Sequence, residues 1–234
     1  MASSKPLPLL NLAGNWVMSY TARYEIEGTL ELTREGIQQR LNWIIRRAFQ
    51  HVTITFTITE YASIGADCSP LALHIDVVHT VTGGFNGTTE KRTLDWKVYT
   101  QKDYVFGTLS VRSRRIGGVE DEDGQVRPAL ELDTPNLSER SYDFLRGAVS
   151  AEGERDAGFL VEELPQEEMG TSRGSWLHTV SRSEDLGWTM EQVWGFETIR
   201  GERYHTRRVV VINKSGDCAM ARVVYKWHSE IRDK

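Results

Sequence analysis

Val52-Thr53-Ile54-Thr55-Phe56-Thr57-Ile58-Thr59 alternates apolar side chains with threonines without interruption. A two-residue period built from β-branched and aromatic residues is the pattern of a strand with one buried face. The same period recurs on both sides of it. Gly14 to Tyr20 reads as a strand with Trp16, Met18 and Tyr20 on one face. Leu71 to Thr82 is a long strand, and the turn Gly83-Gly84-Phe85-Asn86-Gly87 leads into a third, Thr88 to Tyr99, as a hairpin. Tyr104 to Ile116, Ser175 to Ser183, Trp188 to Ile199, Tyr204 to Ile212 and Cys218 to Trp227 follow, the later ones joined by short links rich in turn residues. Successive strands on short turns make an antiparallel meander, and closing it into a barrel removes the exposed edges.

Two stretches break the period. From Leu30 to Phe49 the residues Leu32, Leu41, Trp43, Ile44, Ile45 and Ala48 fall near helical spacing, with Gly36 interrupting. From Gly117 to about Arg173 the chain carries the acidic run Glu120-Asp121-Glu122-Asp123 and several glycines and prolines, with a short helix at Ser138 to Leu145. Its charge reads as a solvated insertion rather than a lid. The expectation is one domain over residues 1–234, an all-β antiparallel barrel with a short helical segment after the first strand and a long insertion at 117–173.

The 234 residues suffice for a barrel with a full core, and 39% hydrophobic with 26% charged residues is ordinary globular composition. A net charge of -5 argues against a nucleic-acid partner, because phosphate binding needs a basic surplus on one face. Cys68 and Cys218 fit no metal or redox spacing, and two thiols in a reducing compartment are favoured over a disulfide. The first twelve residues lack a signal-peptide core and no segment is apolar enough to span a bilayer, so a cytoplasmic location is expected. A homodimer stays open.

No phosphate-binding glycine loop, nucleophile elbow, zinc site or zincin helix can be found, and neither a metal nor an organic cofactor is expected. His74 and Asp76 share a strand face, whereas His79 falls on the other face from Asp76. The strands are rich in aromatics: Trp16, Trp96, Trp176, Trp194, Tyr225 and Trp227, with Phe56 in the opening stretch. Glu90 and Arg92 share the period of Trp96, and Gln192 that of Trp194. Each aromatic alone is ordinary core packing, but together with a few convergent polar groups they suit an apolar small-molecule pocket inside a barrel of about eight strands.

Gly14-Asn15-Trp16 resembles the G-x-W signature of lipocalins, in which a late-strand arginine packs across the tryptophan; Arg222 is the candidate here. More of the chain resembles a group of fungal lipocalin-like proteins of secondary-metabolite clusters. The residues that carry this are Asn11 to Trp16, Gln39 to Ala48, His74-Ile75-Asp76, Thr82-Gly83-Gly84, Gly87 to Trp96, Phe106-Gly107, Ser113-Arg114 and Glu191-Gln192-Val193-Trp194-Gly195-Phe196-Glu197. Asn42 stands where a glycine is usual. The group includes hetero-Diels–Alderases of tropolonic sesquiterpene biosynthesis.

The resemblance implies a cofactor-independent pericyclase that joins a tropolone ortho-quinone methide to a humulene-type sesquiterpene. Such a reaction needs two partners held face to face, which supplies roughly 7–11 kcal/mol of a bimolecular barrier. Donors to the heterodiene carbonyl would stabilise its developing negative charge. Arg92, Gln192, His74 and Tyr20 are candidate donors, and Trp43, Trp96, Trp194 and Trp227 candidate walls, with Phe56, Trp176 and Tyr225 as further lining. Glu90 with Arg92 is either an acid–base pair for dehydrating a hydroxymethyl precursor or a buried ion pair bracing the barrel. Two other functions fit the same scaffold: a non-catalytic carrier of a hydrophobic metabolite, and an isomerase or hydro-lyase with Glu90, Asp76 or His74 as general base.

Overall fold

The computed structural model describes residues 12–18, 54–63, 72–81, 85–103, 106–162 and 173–231. Eleven strands among them form one antiparallel sheet. In chain order they are β1 (Gly14–Met18), β2 (Ile54–Ser63), β3 (Ala72–Val81), β4 (Phe85–Thr93), β5 (Tyr99–Asp103), β6 (Gly107–Glu120), β7 (Val126–Pro128), β8 (Arg173–Ser183), β9 (Trp188–Ile199), β10 (Glu202–Asn213) and β11 (Cys218–Ser229). One helix, α1 (Glu139–Arg146), lies between β7 and β8. The helical reading of 30–49 with Trp43, and the residues Tyr20 and Cys68, lie outside the described residues.

The order in the sheet is β4-β3-β2-β1-β11-β10-β9-β8-β6-β5, with β7 on β6 beside that path. Its two ends, β4 and β5, are consecutive in the chain, and the residues between them draw the ends together. The Leu94 N–H donates to the Leu73 carbonyl and the Trp96 N–H to the Ser113 carbonyl, each at 2.9 Å, and Asp95 bridges to Arg114. The sheet is therefore a nearly closed antiparallel barrel of the lipocalin-like kind that the two-residue period predicts. The longest register joins β9 to β10 over twelve residues, from Glu202↔Ile199 to Asn213↔Trp188.

The strand read from Thr88 to Tyr99 is in fact two. Trp96 has φ 61°, a left-handed backbone in a non-glycine residue, and this ends the two-residue alternation. Beyond Leu94 the side chains no longer follow the face set by Glu90 and Arg92.

The segment from Gly117 onward is not a solvated loop. Residues 117–162 fold back onto the outer face of β8, β9 and β10. There Val126, Leu130, Phe144, Leu145, Ala151 and Phe159 pack on Trp176, Val193 and Val210. Helix α1 starts at Ser138, whose hydroxyl accepts the Ser141 N–H at 3.1 Å, and stops at Gly147, which is left-handed at φ 82°. Phe144 and Leu145 are fully buried, worth about 3–6 kcal/mol together as removed apolar surface. The acidic run supplies ligands for arginines: Arg127 pairs with Asp121 and Asp123, and Arg146 with Asp121.

A strand with two buried faces needs two sets of residues, and Glu191 to Glu197 provides them. Gln192, Trp194 and Phe196 turn into the barrel, while Glu191, Val193, Gly195 and Glu197 turn out beneath the 117–162 layer. Glu191 accepts the backbone N–H groups of Asp133 and Thr134 at 2.9 and 2.8 Å. Glu197 accepts from Arg208 at 2.8 Å and Arg222 at 3.0 Å. Gly195 leaves room for the layer: a Cβ there would lie 2.5 Å from the Trp176 ring and 2.8 Å from that of Phe159.

Candidate active site in the barrel interior

Trp16 fills one end of the interior. Its indole N–H donates to the Leu12 carbonyl at 2.8 Å, and its ring packs among Phe196, His205 and Trp227. The arginine expected across it lies elsewhere. Arg222 alternates to the outer face, where it bonds to Asp156 and Glu197. Gly14 of the G-x-W signature is required by the ring of Trp227, from which a Cβ would stand 2.1 Å. Beyond Trp16 come Phe56, Ile58, Ile75, Val77, Leu177 and Trp194. Leu109, Val111, Trp188 and Val211 form a second apolar cluster.

A belt of polar side chains shares this interior. Ile75, Val77 and His79 alternate onto one face of β3, and Glu90 and Arg92 onto the same face of β4. Arg92 is 4% exposed; its guanidinium donates to Glu90 Oε2 at 2.7 Å and to Thr179 Oγ1 at 2.9 Å. The Ser113 hydroxyl also donates to Thr179, at 3.0 Å. His79 Nε2 lies 2.8 Å from Glu90 Oε1. Burial alone would raise the Glu90 carboxyl, but Arg92, His79 and Arg207 outweigh it and hold it well below the usual carboxylate range. The Arg92–Glu90 hydrogen bond at 2.7 Å and the Arg92–Thr179 bond are the contacts a bracing pair would make.

Arg207 is 6% exposed and lies over the Trp194 ring, 3.5 Å from its centroid, with Phe56 and Tyr225 each at 5.2 Å. Its nearest carboxylate contact is Glu90 Oε1 at 3.8 Å. Two residues before it on the same face, His205 is fully buried, stacked on Tyr225 at 5.2 Å. Burial, with Arg207 and Arg203 nearby, pushes the imidazole well below its ordinary value, so His205 is neutral. Burial pushes the Tyr225 hydroxyl up to about 12.

Several of these polar groups lack a partner. Arg92 Nε, Arg207 Nε and Nη2, and both ring nitrogens of His205 are buried without a hydrogen-bond partner. Buried polar groups are ordinarily satisfied, so a cluster of exceptions on one inner face stands out.

Of the residues singled out in the sequence, the barrel brings together Arg92, Glu90, Gln192, Phe56, Trp194 and Tyr225. Gln192 accepts the Trp194 indole N–H at 3.0 Å. Four others are placed away from this group. His74 faces out, stacked on Tyr61 and in contact with Ser63 and Thr93. Trp96 lies on the outer face between Arg112 and Arg114, against the His178 ring, because its left-handed backbone breaks the alternation. Trp176 belongs to the layer beneath residues 117–162. Trp227 stands at the rim, 44% exposed. Arg207, His205, His79 and Thr179 were not foreseen. Parity alone could have found Arg207, since it alternates with His205, Val209 and Val211.

The fold and this interior define a nearly closed antiparallel barrel around a buried cluster of aromatic rings and unspent donors. Among known proteins, the chain is 24% identical over 227 residues to the pericyclase pydY of an Acremonium species, covering 97% of each chain. It is likewise 24% identical over 226 residues to the probable pericyclase scpY of Mollisia scopiformis, covering 97% of this chain and 94% of that one. No family model matches, and no solved structure gives a significant match.

Proposed function

We propose that this protein is a pericyclase whose reaction takes place in the barrel interior. The observation that carries the reading is the set of buried, unpartnered donors on Arg92, Arg207 and His205, held against the faces of Trp194, Phe56 and Tyr225. The likeness to two pericyclases along nearly the whole chain supports it. The finer form is an intermolecular hetero-Diels–Alder reaction between a tropolone ortho-quinone methide and a humulene-type sesquiterpene. One C–C and one C–O bond form, no group leaves, and the product ring is a dihydropyran.

In this reading the aromatic faces orient the two partners, and guanidinium N–H groups donate to the heterodiene oxygen, where negative charge grows as the new bonds form. Donors fixed in a buried site stabilise that charge more than water does, because they need no reorganisation. Arg92 is held rigidly by Glu90 and Thr179, so its free Nε is preset rather than mobile.

The test mixes the purified protein with a quinone methide precursor and humulenol and compares adduct yield and stereochemistry with buffer. A faster, stereochemically biased reaction is expected. An unchanged rate and product ratio would leave a carrier of hydrophobic metabolites and remove the pericyclase.

A further inference from the structure

We infer that the interior takes a ligand bearing an ionised oxygen, an enolate or a carboxylate, seated on Arg207 with Arg92 beside it. The inference deepens the pericyclase reading by naming the substrate's charge state, and it rests on that reading only for what happens after binding.

Two guanidiniums meet one carboxylate here. Both oxygens of Glu90 are already engaged, Oε2 by Arg92 at 2.7 Å and Oε1 by His79 at 2.8 Å. Arg207 is left 3.8 Å from Oε1. Among the described residues the other ionisable groups that face Arg207 do not balance it: His205 is neutral, and Tyr225 keeps its proton. A buried charge ordinarily carries a partner, because leaving water unpaired is expensive. The rings of Trp194, Phe56 and Tyr225 offset part of the penalty through their electron-rich faces. They leave the Nε–H and Nη2–H, which are buried, without an oxygen or nitrogen acceptor.

A single oxygen anion meets both needs, since it neutralises the surplus charge and accepts two N–H groups from one edge of the guanidinium. The free Nε–H of Arg92 adds a third donor, and both arginines lie over the same Trp194 ring, at 5.2 and 3.5 Å. A flat conjugated enolate suits this seat better than a compact anion, because indole and phenyl faces surround it. In the reaction, Arg207 would fix the position of the ionised oxygen and take up part of its charge, which leaves the conjugated system better able to accept electron density. Arg207 is thus a substrate-binding residue.

The experiment titrates the full chain with tropolone, at a pH where its enol is ionised, and with its O-methyl ether, which has the same ring and no acidic proton. Quenching of tryptophan fluorescence reads both. The wild type should prefer the anion about tenfold or more. R207M should lose that preference while keeping its affinity for the ether, and R207K, which retains the charge without the fork, should keep part of it. Equal affinity for the two probes, no binding of either, or a preference undiminished in R207M would overturn the inference. Turnover without anion preference leaves the pericyclase standing and removes this seat; preference without turnover does the reverse.

Discussion

Arg207 and Arg208 are neighbours in β10, yet their side chains are buried on opposite sides of the barrel wall. Arg207 enters the interior above Trp194. Arg208, fully buried, enters the 117–162 layer. There it donates to Glu197 at 2.8 Å, to Asp156 at 2.7 Å and to the Phe144 and Val149 carbonyls. Burial would lower the Arg208 guanidinium, but Glu197 and Asp156 outweigh it and raise it. One arginine is fully satisfied and the other is not, and their substitutions should differ accordingly.

Arg208→Met removes the cation from a buried network and leaves Glu197 and Asp156 facing Arg222 alone. The expected loss is about 3–5 kcal/mol of unfolding free energy. Arg207→Met removes a charge that the fold pairs only loosely, through Glu90 at 3.8 Å, so its stability should stay within about 1 kcal/mol of the parent or rise, while turnover falls at least tenfold. Urea denaturation of both variants checks the contrast, and equal destabilisation would contradict the assignment of the two faces.

Gly195→Ala should destabilise by about 1–3 kcal/mol, since the new methyl would overlap the rings of Trp176 and Phe159 across the layer interface. Thermal melting measures it. A melting temperature unchanged from the parent would mean that residues 117–162 do not press on β9 as described.

Trp194→Ala deletes the ring beneath Arg207 and the indole that bonds to Gln192. A loss of about 3–5 kcal/mol in stability is expected from the cavity, together with at least a tenfold fall in turnover per folded molecule. Activity normalised to the folded fraction separates the two effects. Parental turnover in that measure would take Trp194 out of the site.

Stability should fall as the pH drops below about 6.5. His205 binds a proton readily only when unfolded, because burial and then Arg207 and Arg203 depress it in the barrel. The unfolded state therefore gains protons first, and stability declines by up to about 1.4 kcal/mol per pH unit for each such histidine. His178 adds to this, lowered by burial against the opposing pull of Glu191. The carboxylates held low by arginines, Glu90 and Asp156, contribute their own loss only below about 4.5. Between those limits His205→Asn should show a shallower decline than the parent. Parallel curves would count against a neutral, buried His205.

The two-residue period determined the barrel by itself. From Ile54 to Thr59 and from Trp188 to Ile199 the alternation locates strands, because successive side chains on extended backbone must leave on opposite sides. The same rule located Arg92, Glu90, Gln192, Trp194, Phe56 and Tyr225 on strands that enclose one space. Only the tertiary structure decided which side of each strand is the inside. The reason is that β8, β9 and β10 are buried on both faces: the acidic segment read as solvated covers their outer side, so Trp176 and Arg208 are as hidden as Trp194 and Arg207. Trp96 needed the fold for another reason, since it lies past the end of β4 with a left-handed backbone of its own and so leaves the face that Glu90 and Arg92 keep. Pairing settled the rest: among the described residues Arg208 found two carboxylates of its own and Arg207 only a share of Glu90 at 3.8 Å, and no local pattern in β10 distinguishes those neighbours.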